Sequence, residues 1–157
     1  METIEQFIEI DRPVRTVYNQ WTQFEDFPAF MEGVRSVRQL DDKRLEWVAD
    51  IAGKEKSWQA EIFEQEPDKR IAWRSMEGTM NSGRVDFEPL DDHRTRLYLR
   101  LNYEPQGLLE KTGDALGFVT ARVKGDLQRF KEFIENIPGP RDGWRGEIQG
   151  REVHGEE

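Results

Sequence analysis

The chain has 157 residues, of which 36% are apolar and 35% are charged. Its formal net charge of −9 argues against nucleic acid as a partner, because phosphate binding needs a surplus of lysine and arginine. It has no cysteine, which excludes disulfides and thiolate metal sites. No apolar run approaches the about 18 residues that a membrane span needs. We therefore expect one cytoplasmic domain that does not insert stably into membranes.

The N-terminal region predicts a strand followed by two short helices. The first ten residues alternate between apolar and polar, which is the period of a strand with one wet face. Asp11 and Pro13 then predict a helix start, with Asp11 as the cap. Apolar residues at helical spacing predict the first helix over 14–21. A second helix of about two turns is expected over 24–31, shortened or kinked by Pro28.

The region from Val34 to Tyr103 predicts an antiparallel sheet. It contains six segments of alternating apolar and polar residues, separated by turn residues. Sequential strands joined by short turns pair antiparallel, so these six form a meander beside the N-terminal strand. Gly83 lies inside one strand, where it predicts a bulge or bend, or leaves room for a ligand, and we favour the bend.

The C-terminal region predicts one long helix and a tail. Apolar residues recur every seven positions from about Leu108 to Ile137. The apolar stripe of this helix and the apolar face of the sheet are expected to cover each other. Residues 138–157 are rich in glycine and poor in apolar side chains. They predict a flexible acidic tail outside a domain of residues 1–137.

Several motifs in this order carry a family resemblance. They are Ile10-Asp11-Arg12-Pro13-Val14, Phe24-Glu25-Asp26-Phe27-Pro28-Ala29-Phe30-Met31, Ile71-Ala72-Trp73, Val85-Asp86-Phe87 and Asp126-Leu127-Gln128-Arg129-Phe130-Lys131-Glu132-Phe133-Ile134-Glu135. With the element order, they resemble the START-like (SRPBCC) superfamily, and most of all its polyketide cyclase/dehydrase branch. The resemblance implies an α+β helix-grip fold, in which a seven-stranded curved antiparallel sheet wraps around the C-terminal helix. It also implies similarity to coenzyme Q-binding and lipid-transfer proteins, which hold apolar molecules between sheet and helix.

The alternation predicts which side chains would face such a cavity. They are mostly apolar with a few polar groups, which is the usual composition of a ligand pocket. The ligand-binding candidates, with the first three at the rim, are Phe27, Phe30, Met31, Trp47, Trp58, Trp73, Ser75, Asn81, Val85, Phe87, Leu99, Leu101, Tyr103, Leu116, Val119, Thr120 and Val123. The alternative interpretation is that the three inward tryptophans simply fill a core.

Catalytic and metal chemistry find little support in the sequence. His93 falls in a turn and His154 in the tail, so neither is a good general base for an apolar interior. The pairs Asp41-Asp42 and Asp91-Asp92 also lie in turns, where aspartate favours hydrogen bonds to the backbone. No cluster has metal-ligand spacing, and we expect neither a metal nor a cofactor.

The resemblance implies that aromatase/cyclases of the superfamily use an arginine and tyrosines that project into the cavity. In this chain the strand arginines all fall on the outward parity, and that catalytic set is not transferred to it. These arginines are Arg44, Arg74, Arg84, Arg96 and Arg100.

The leading prediction is a protein that binds or carries a small hydrophobic molecule, such as a lipid, a quinone or a polyketide-like compound. The alternative is a cyclase or dehydratase in which Tyr103, Asn81 and Ser75 orient the substrate. A third possibility is an interaction module that uses the acidic surface or the tail. The oligomeric expectation is a monomer or a weak dimer, with protein partners undetermined.

Overall fold

The computed structural model describes residues 2–51, 53–76, 81–103, 115–137, 143, 145–149 and 152–155. Seven strands, two helices, one 3₁₀ helix and a C-terminal hairpin make up this part of the chain. In chain order the elements are β1 (Glu2–Ile10), α1 (Val14–Trp21), the 3₁₀ helix (Phe24–Ala29), β2 (Val34–Gln39), β3 (Arg44–Ile51), β4 (Lys54–Glu66), β5 (Arg70–Ser75), β6 (Asn81–Asp91), β7 (Arg94–Tyr103), α2 (Ala115–Glu135), β8 (Glu147–Gln149) and β9 (Glu152–His154).

The first seven strands form one antiparallel sheet in the order β1-β7-β6-β5-β4-β3-β2. This order confirms the predicted meander, and it shows that the N-terminal strand pairs with the last strand of the meander. Helix α2 covers the apolar face of the sheet with Val123, Leu127, Phe130 and Ile134, which are all buried. The predicted helix-grip fold is thereby confirmed. The first part of the predicted helix, 108–114, lies outside the described residues.

Aromatic side chains pack together where α1 and the C-terminal half of α2 meet the sheet. Tyr18 of α1 contacts Phe87 edge to face, with ring centroids 5.2 Å apart. Trp21 and Phe30 approach Phe130 of α2 at 5.2 and 5.0 Å. Edge-to-face packing is favourable for aromatic rings, so these side chains fill this end of the interior.

The second predicted helix is a 3₁₀ helix rather than an α-helix. Phe24, Phe27 and Phe30 are three residues apart, which matches the three residues per turn of a 3₁₀ helix. Pro28 lies inside it and has no N–H to donate. The three-residue spacing thus places all three phenylalanines on one buried face.

The predicted capping role of Asp11 is wrong. Helix α1 has no side-chain cap, and Pro13 occupies the cap position. The carbonyl of Pro13 accepts the N–H of Val17 at 3.1 Å. The backbone N–H of Asp11 donates instead to Glu135 Oε2 at 2.7 Å, which joins the start of α1 to the end of α2.

The expected loose tail does not hold for the described C-terminal residues. Strand β8 pairs with Glu64 and Gln65 of β4, beyond the point where β3 stops pairing with β4, and β9 pairs with β8. Ile148 is fully buried. Arg145 forms an ion pair of 2.7 Å with Asp68. These residues therefore belong to the folded domain, and they form a short extension of the sheet.

Gly83 does not form a bulge, and the bend stays a prediction. The register between β5 and β6 and between β6 and β7 runs without a shift at this residue. A Cβ atom at Gly83 would lie only 2.4 Å from Cζ2 of Trp73, its directly paired neighbour. A glycine is needed at this position because the indole of Trp73 occupies the space of a side chain.

Candidate binding site

The concave face of the sheet is unevenly covered. Ile71, Val85 and Leu97 lie in the packed half and are almost completely buried. Toward the other end, inward-facing side chains of β3, β4, β5 and β7 are only half-buried. We call this second half the open end, and its described members are Lys56, Trp58, Trp47, Trp73, Ser75 and Leu101.

Trp47 and Trp58 form a stacked pair at the open end. They are directly opposite each other on β3 and β4, with ring centroids 6.0 Å apart and an interplanar angle of 4°. Phe27 holds Trp47 from the side of the core, at 5.5 Å between centroids. The pair is therefore fixed by the core, while part of its aromatic surface remains accessible.

Trp73 lies with the face of its indole against the backbone of Gly83. Three consecutive ring atoms, Cε2, Cζ2 and Cη2, are 2.8, 2.4 and 3.0 Å from the position that a Cβ would take at Gly83. Such similar distances to neighbouring atoms mean that the ring presents its face rather than its edge. The other indole face is turned toward the interior, and the residue is half-buried.

Lys56 is a member of the open end that sequence reasoning missed. It pairs with the buried Ala49, two positions before Trp58, so its side chain shares the concave face with both tryptophans of the stacked pair. The signal was available, because positions 56, 58, 60 and 62 have the same parity. Strand β4 begins at Lys54, but its first residues are polar, and the alternation of apolar and polar residues is visible only from Trp58.

The candidate polar groups are divided between described and undescribed side chains. Ser75 faces the open end, opposite the buried Ala60, and is half-buried, as is Thr120 of α2. Other candidates have side chains outside the described part of the chain, and for these the prediction stays a prediction. They are Asn81, Tyr103, Leu116 and Val119.

Other candidate residues belong to the packed half. Phe27 and Phe30 are each about 2% exposed, and Phe30 lies between Phe130 and Phe133 rather than at a rim. Val85 and Phe87 are also buried there, and Val123 of α2 is 8% exposed. Leu99, at 9% exposure, lies at the boundary of the two halves, and Met31 is half-buried.

A group of charged side chains on α2 holds the segment that follows the 3₁₀ helix. Arg122 donates to the carbonyl of Glu32 at 2.8 Å, and Arg129 donates to that of Phe30 at 3.0 Å. Asp126 accepts the N–H of Glu32 at 3.0 Å. Burial raises the pKa of Asp126, although Arg129 and this N–H act in the opposite direction. We call these contacts the α2 latch.

The convex face of the sheet carries charged side chains that form ion pairs with one another. The strand arginines lie there as predicted, and each is bound to a carboxylate of its own face. These pairs are Arg44–Asp41, Arg74–Glu61, Arg84–Asp86, Arg96–Glu9 and Arg100–Glu5. None of these five arginines is available to contact a molecule at the concave face.

The turn residues behave as predicted. Asp41 accepts the N–H groups of Lys43 and Arg44, both at 2.8 Å. Asp91 accepts the N–H of His93 at 2.7 Å, and this hydrogen bond is the main cause of its lowered pKa. His93 itself is exposed, and the side chain of His154 lies outside the described residues.

Within the described ranges, no group of three or more histidine, aspartate or glutamate side chains is arranged to hold a metal ion. No helix in this part of the chain is long and apolar enough to span a membrane.

Comparison with known proteins agrees with this fold. Residues 10–132 match the family described as polyketide cyclase/dehydrase and lipid transport. An uncharacterised 17.2 kDa protein of Streptomyces lincolnensis is 46% identical over 149 residues, which cover 94% of this chain and 99% of the relative. The chain therefore belongs to the polyketide cyclase/dehydrase and lipid-transport family, with the START-like helix-grip fold.

Solved structures extend the comparison. A crystal structure from Deinococcus radiodurans is 32% identical, with a TM-score of 0.67 over 83% of this chain and 95% of that one. The Zhui aromatase/cyclase of a Streptomyces species is 18% identical, with a TM-score of 0.72 over 85% of this chain and 93% of that one. At this identity the second likeness concerns the fold alone.

Proposed function

We propose that the protein binds a small hydrophobic molecule at the open end of the concave face, between the sheet and helix α2. The observation that carries the proposal is the uneven burial of the inward aromatic side chains. Trp21 and Phe87 of the packed half are 3% and 5% exposed, while Trp47, Trp58 and Trp73 keep accessible surface. Exposed aromatic surface inside a concave face is what an apolar ligand covers.

The rigidity of these aromatic groups supports the same function. Trp47 is held between Phe27 and Trp58, and Trp73 rests on the backbone of Gly83. A ligand would meet rings that are already positioned, and little side-chain entropy would be lost on binding. Membership of a family that includes lipid transport agrees with a carrier role.

The described residues give the cyclase or dehydratase alternative no comparable support. Catalysis of that type needs a proton-transfer group near the bound substrate. His93 is exposed in a turn, and the strand arginines are paired on the convex face. Ser75 is the described catalytic candidate that faces the open end, and a serine hydroxyl becomes an effective catalytic group only when a base activates it.

Probe binding to matched variants tests the proposal. The environment-sensitive dye 1-anilinonaphthalene-8-sulfonate is titrated into the wild type, Trp58→Ala and Phe7→Ala. Trp58 belongs to the open end, whereas Phe7 is 60% exposed on the convex face. We expect Trp58→Ala to weaken dye binding by about tenfold, as for loss of a well-placed aromatic contact, and Phe7→Ala to leave it unchanged.

Two results would contradict the proposal. One is a wild-type protein that binds no dye, and the other is equal affinity in the wild type and Trp58→Ala. Thermal unfolding of both variants provides the control, because the comparison applies to proteins that remain folded at the temperature of the titration.

A further inference from the structure

Lys56 places a positive charge beside apolar side chains of the concave face. Its neighbours on that face are Ala49 across the strand pair and Trp58 two residues along β4. Its side chain is half-buried. In the part of the chain that the structure describes, no carboxylate is paired with it, and it makes no side-chain hydrogen bond.

The contrast with the convex face makes this arrangement informative. Glu55, the preceding residue, points to the convex face, where it pairs with Arg35, which also binds Asp50. Glu61 pairs with Arg74 on the same face, so the three carboxylates nearest to Lys56 in sequence are engaged on the opposite side of the sheet. The protein carries a net charge of −9, yet none of the acidic side chains that the structure describes is paired with Lys56.

An ammonium group beside an anion gains charge-assisted hydrogen bonds, which the described side chains around Lys56 do not provide. An anionic group on a bound molecule would supply that partner. The apolar body of the same molecule would cover the aromatic surface of Trp47 and Trp58, which adjoins Lys56 along the strands. A single amphiphilic ligand would then pair with the charge of Lys56 and cover the apolar surface of the two tryptophans.

We propose that the ligand of the open end is an acidic amphiphile, and that Lys56 binds its carboxylate or phosphate group. This inference rests on the proposed function, since it specifies the chemistry of the molecule bound there. Lys56 would determine selectivity for charge, while the tryptophans would provide most of the apolar contact. Lysine binds both carboxylate and phosphate as a compact point charge, and the test therefore includes both.

Three probes with the same alkyl chain separate charge from apolar contact. Dodecanoate, dodecyl phosphate and dodecanol are titrated below their micelle concentrations, and binding is followed by tryptophan fluorescence. The proteins are the wild type, Lys56→Gln, Lys56→Arg and the control Lys124→Gln. Lys124 is exposed on α2, on the side away from the buried stripe. Thermal unfolding checks that each variant is folded.

We expect the wild type to bind at least one anionic probe about fivefold or more tightly than dodecanol, the scale of one charge-assisted contact. Lys56→Gln should remove this preference without weakening dodecanol binding, while Lys56→Arg and Lys124→Gln should keep it. Preference for the phosphate or for the carboxylate probe would identify the anionic group.

Equal binding of all three probes by the wild type would overturn the inference and leave the proposed function standing. A preference that survives in Lys56→Gln would overturn it as well. If the wild type bound none of the three probes, the proposed function and this inference would both fail.

Discussion

Trp73 can lie flat against the sheet because the residue opposite it, Gly83, has no side chain. The indole fills the position of the missing Cβ and turns its second face toward the interior. Any side chain at residue 83 would push the ring outward, into the space of the open end. One residue thus determines how much of the concave face remains available.

A double-mutant cycle tests this relation. Gly83→Ala alone should destabilise the protein by about 1–3 kcal/mol, because the added methyl group overpacks against the indole. In a Trp73→Ala background the same change should be neutral or slightly stabilising, since alanine restricts the unfolded chain more than glycine does. Urea unfolding measures both. Equal costs in the two backgrounds would mean that the indole does not occupy the space above Gly83.

Sequence reasoning could predict the direction of most strand side chains but not this contact. Alternation identified Trp47, Trp58 and Trp73 as inward, and the registers agree. The role of Gly83 depends on which residue of the neighbouring strand lies opposite it, and register is not readable from a single strand. Lys56 lies in the polar first part of β4, just after the turn at Gly53, and alternation of apolar residues therefore does not identify it.

Helix α2 is attached to its surroundings by a carboxylate in its middle, Asp126, and one at its C-terminal end, Glu135, and their environments differ. Asp126 in the α2 latch has a raised pKa, chiefly because it is buried. Burial also acts to raise the pKa of Glu135, but hydrogen bonds from Lys131 and from the N–H of Asp11 outweigh it, and the pKa is lowered. The folded state therefore favours the protonated form of Asp126 and the charged form of Glu135.

These shifts predict opposite pH effects on stability. Asp126 stabilises the fold most below its ordinary pKa of 3.8, and this contribution is lost as pH rises through its raised folded value. Glu135 stabilises the fold above its ordinary pKa of 4.5, and this contribution is lost as pH falls through its lowered folded value. Two carboxylates of the same helix therefore change the stability of the fold with pH in opposite directions.

Urea unfolding at several acidic pH values checks the two signs. The stability of the wild type minus that of Asp126→Asn should fall as pH rises. The stability of the wild type minus that of Glu135→Gln should rise over the same range. Each variant serves as the control for the other, because both replace a carboxylate of α2 by its amide. Parallel trends for the two differences would contradict the assigned environments.

The C-terminal hairpin marks the limit of prediction at the element scale. Strand β8 has three residues and one buried apolar side chain, Ile148, which is too little periodicity to predict a strand. Contacts with residues that are distant in the sequence hold this segment in place. Arg145 pairs with Asp68 and lies 5.4 Å from the centre of the Tyr18 ring. Such contacts join distant parts of the chain and leave no local pattern.

At the scale of the whole molecule, the sheet and α2 surround an interior that is filled at one end and has accessible tryptophan rings at the other. The order of elements was sufficient to predict this fold, since matched apolar faces of a sheet and a helix have few ways to cover each other. Which half is filled could not be predicted in the same way. It depends on α1 and the 3₁₀ helix, whose aromatic residues pack against Phe130.

The central claim is that the open end holds a small hydrophobic molecule, and native mass spectrometry of gently purified protein tests it most directly. The protein is then extracted with organic solvent, and any released compound is identified. We predict a discrete mass adduct in a stoichiometric complex, with an apolar compound recovered in the extract. A mass that stays free of adducts, even after incubation with mixtures of lipids, fatty acids and quinones, would contradict the account.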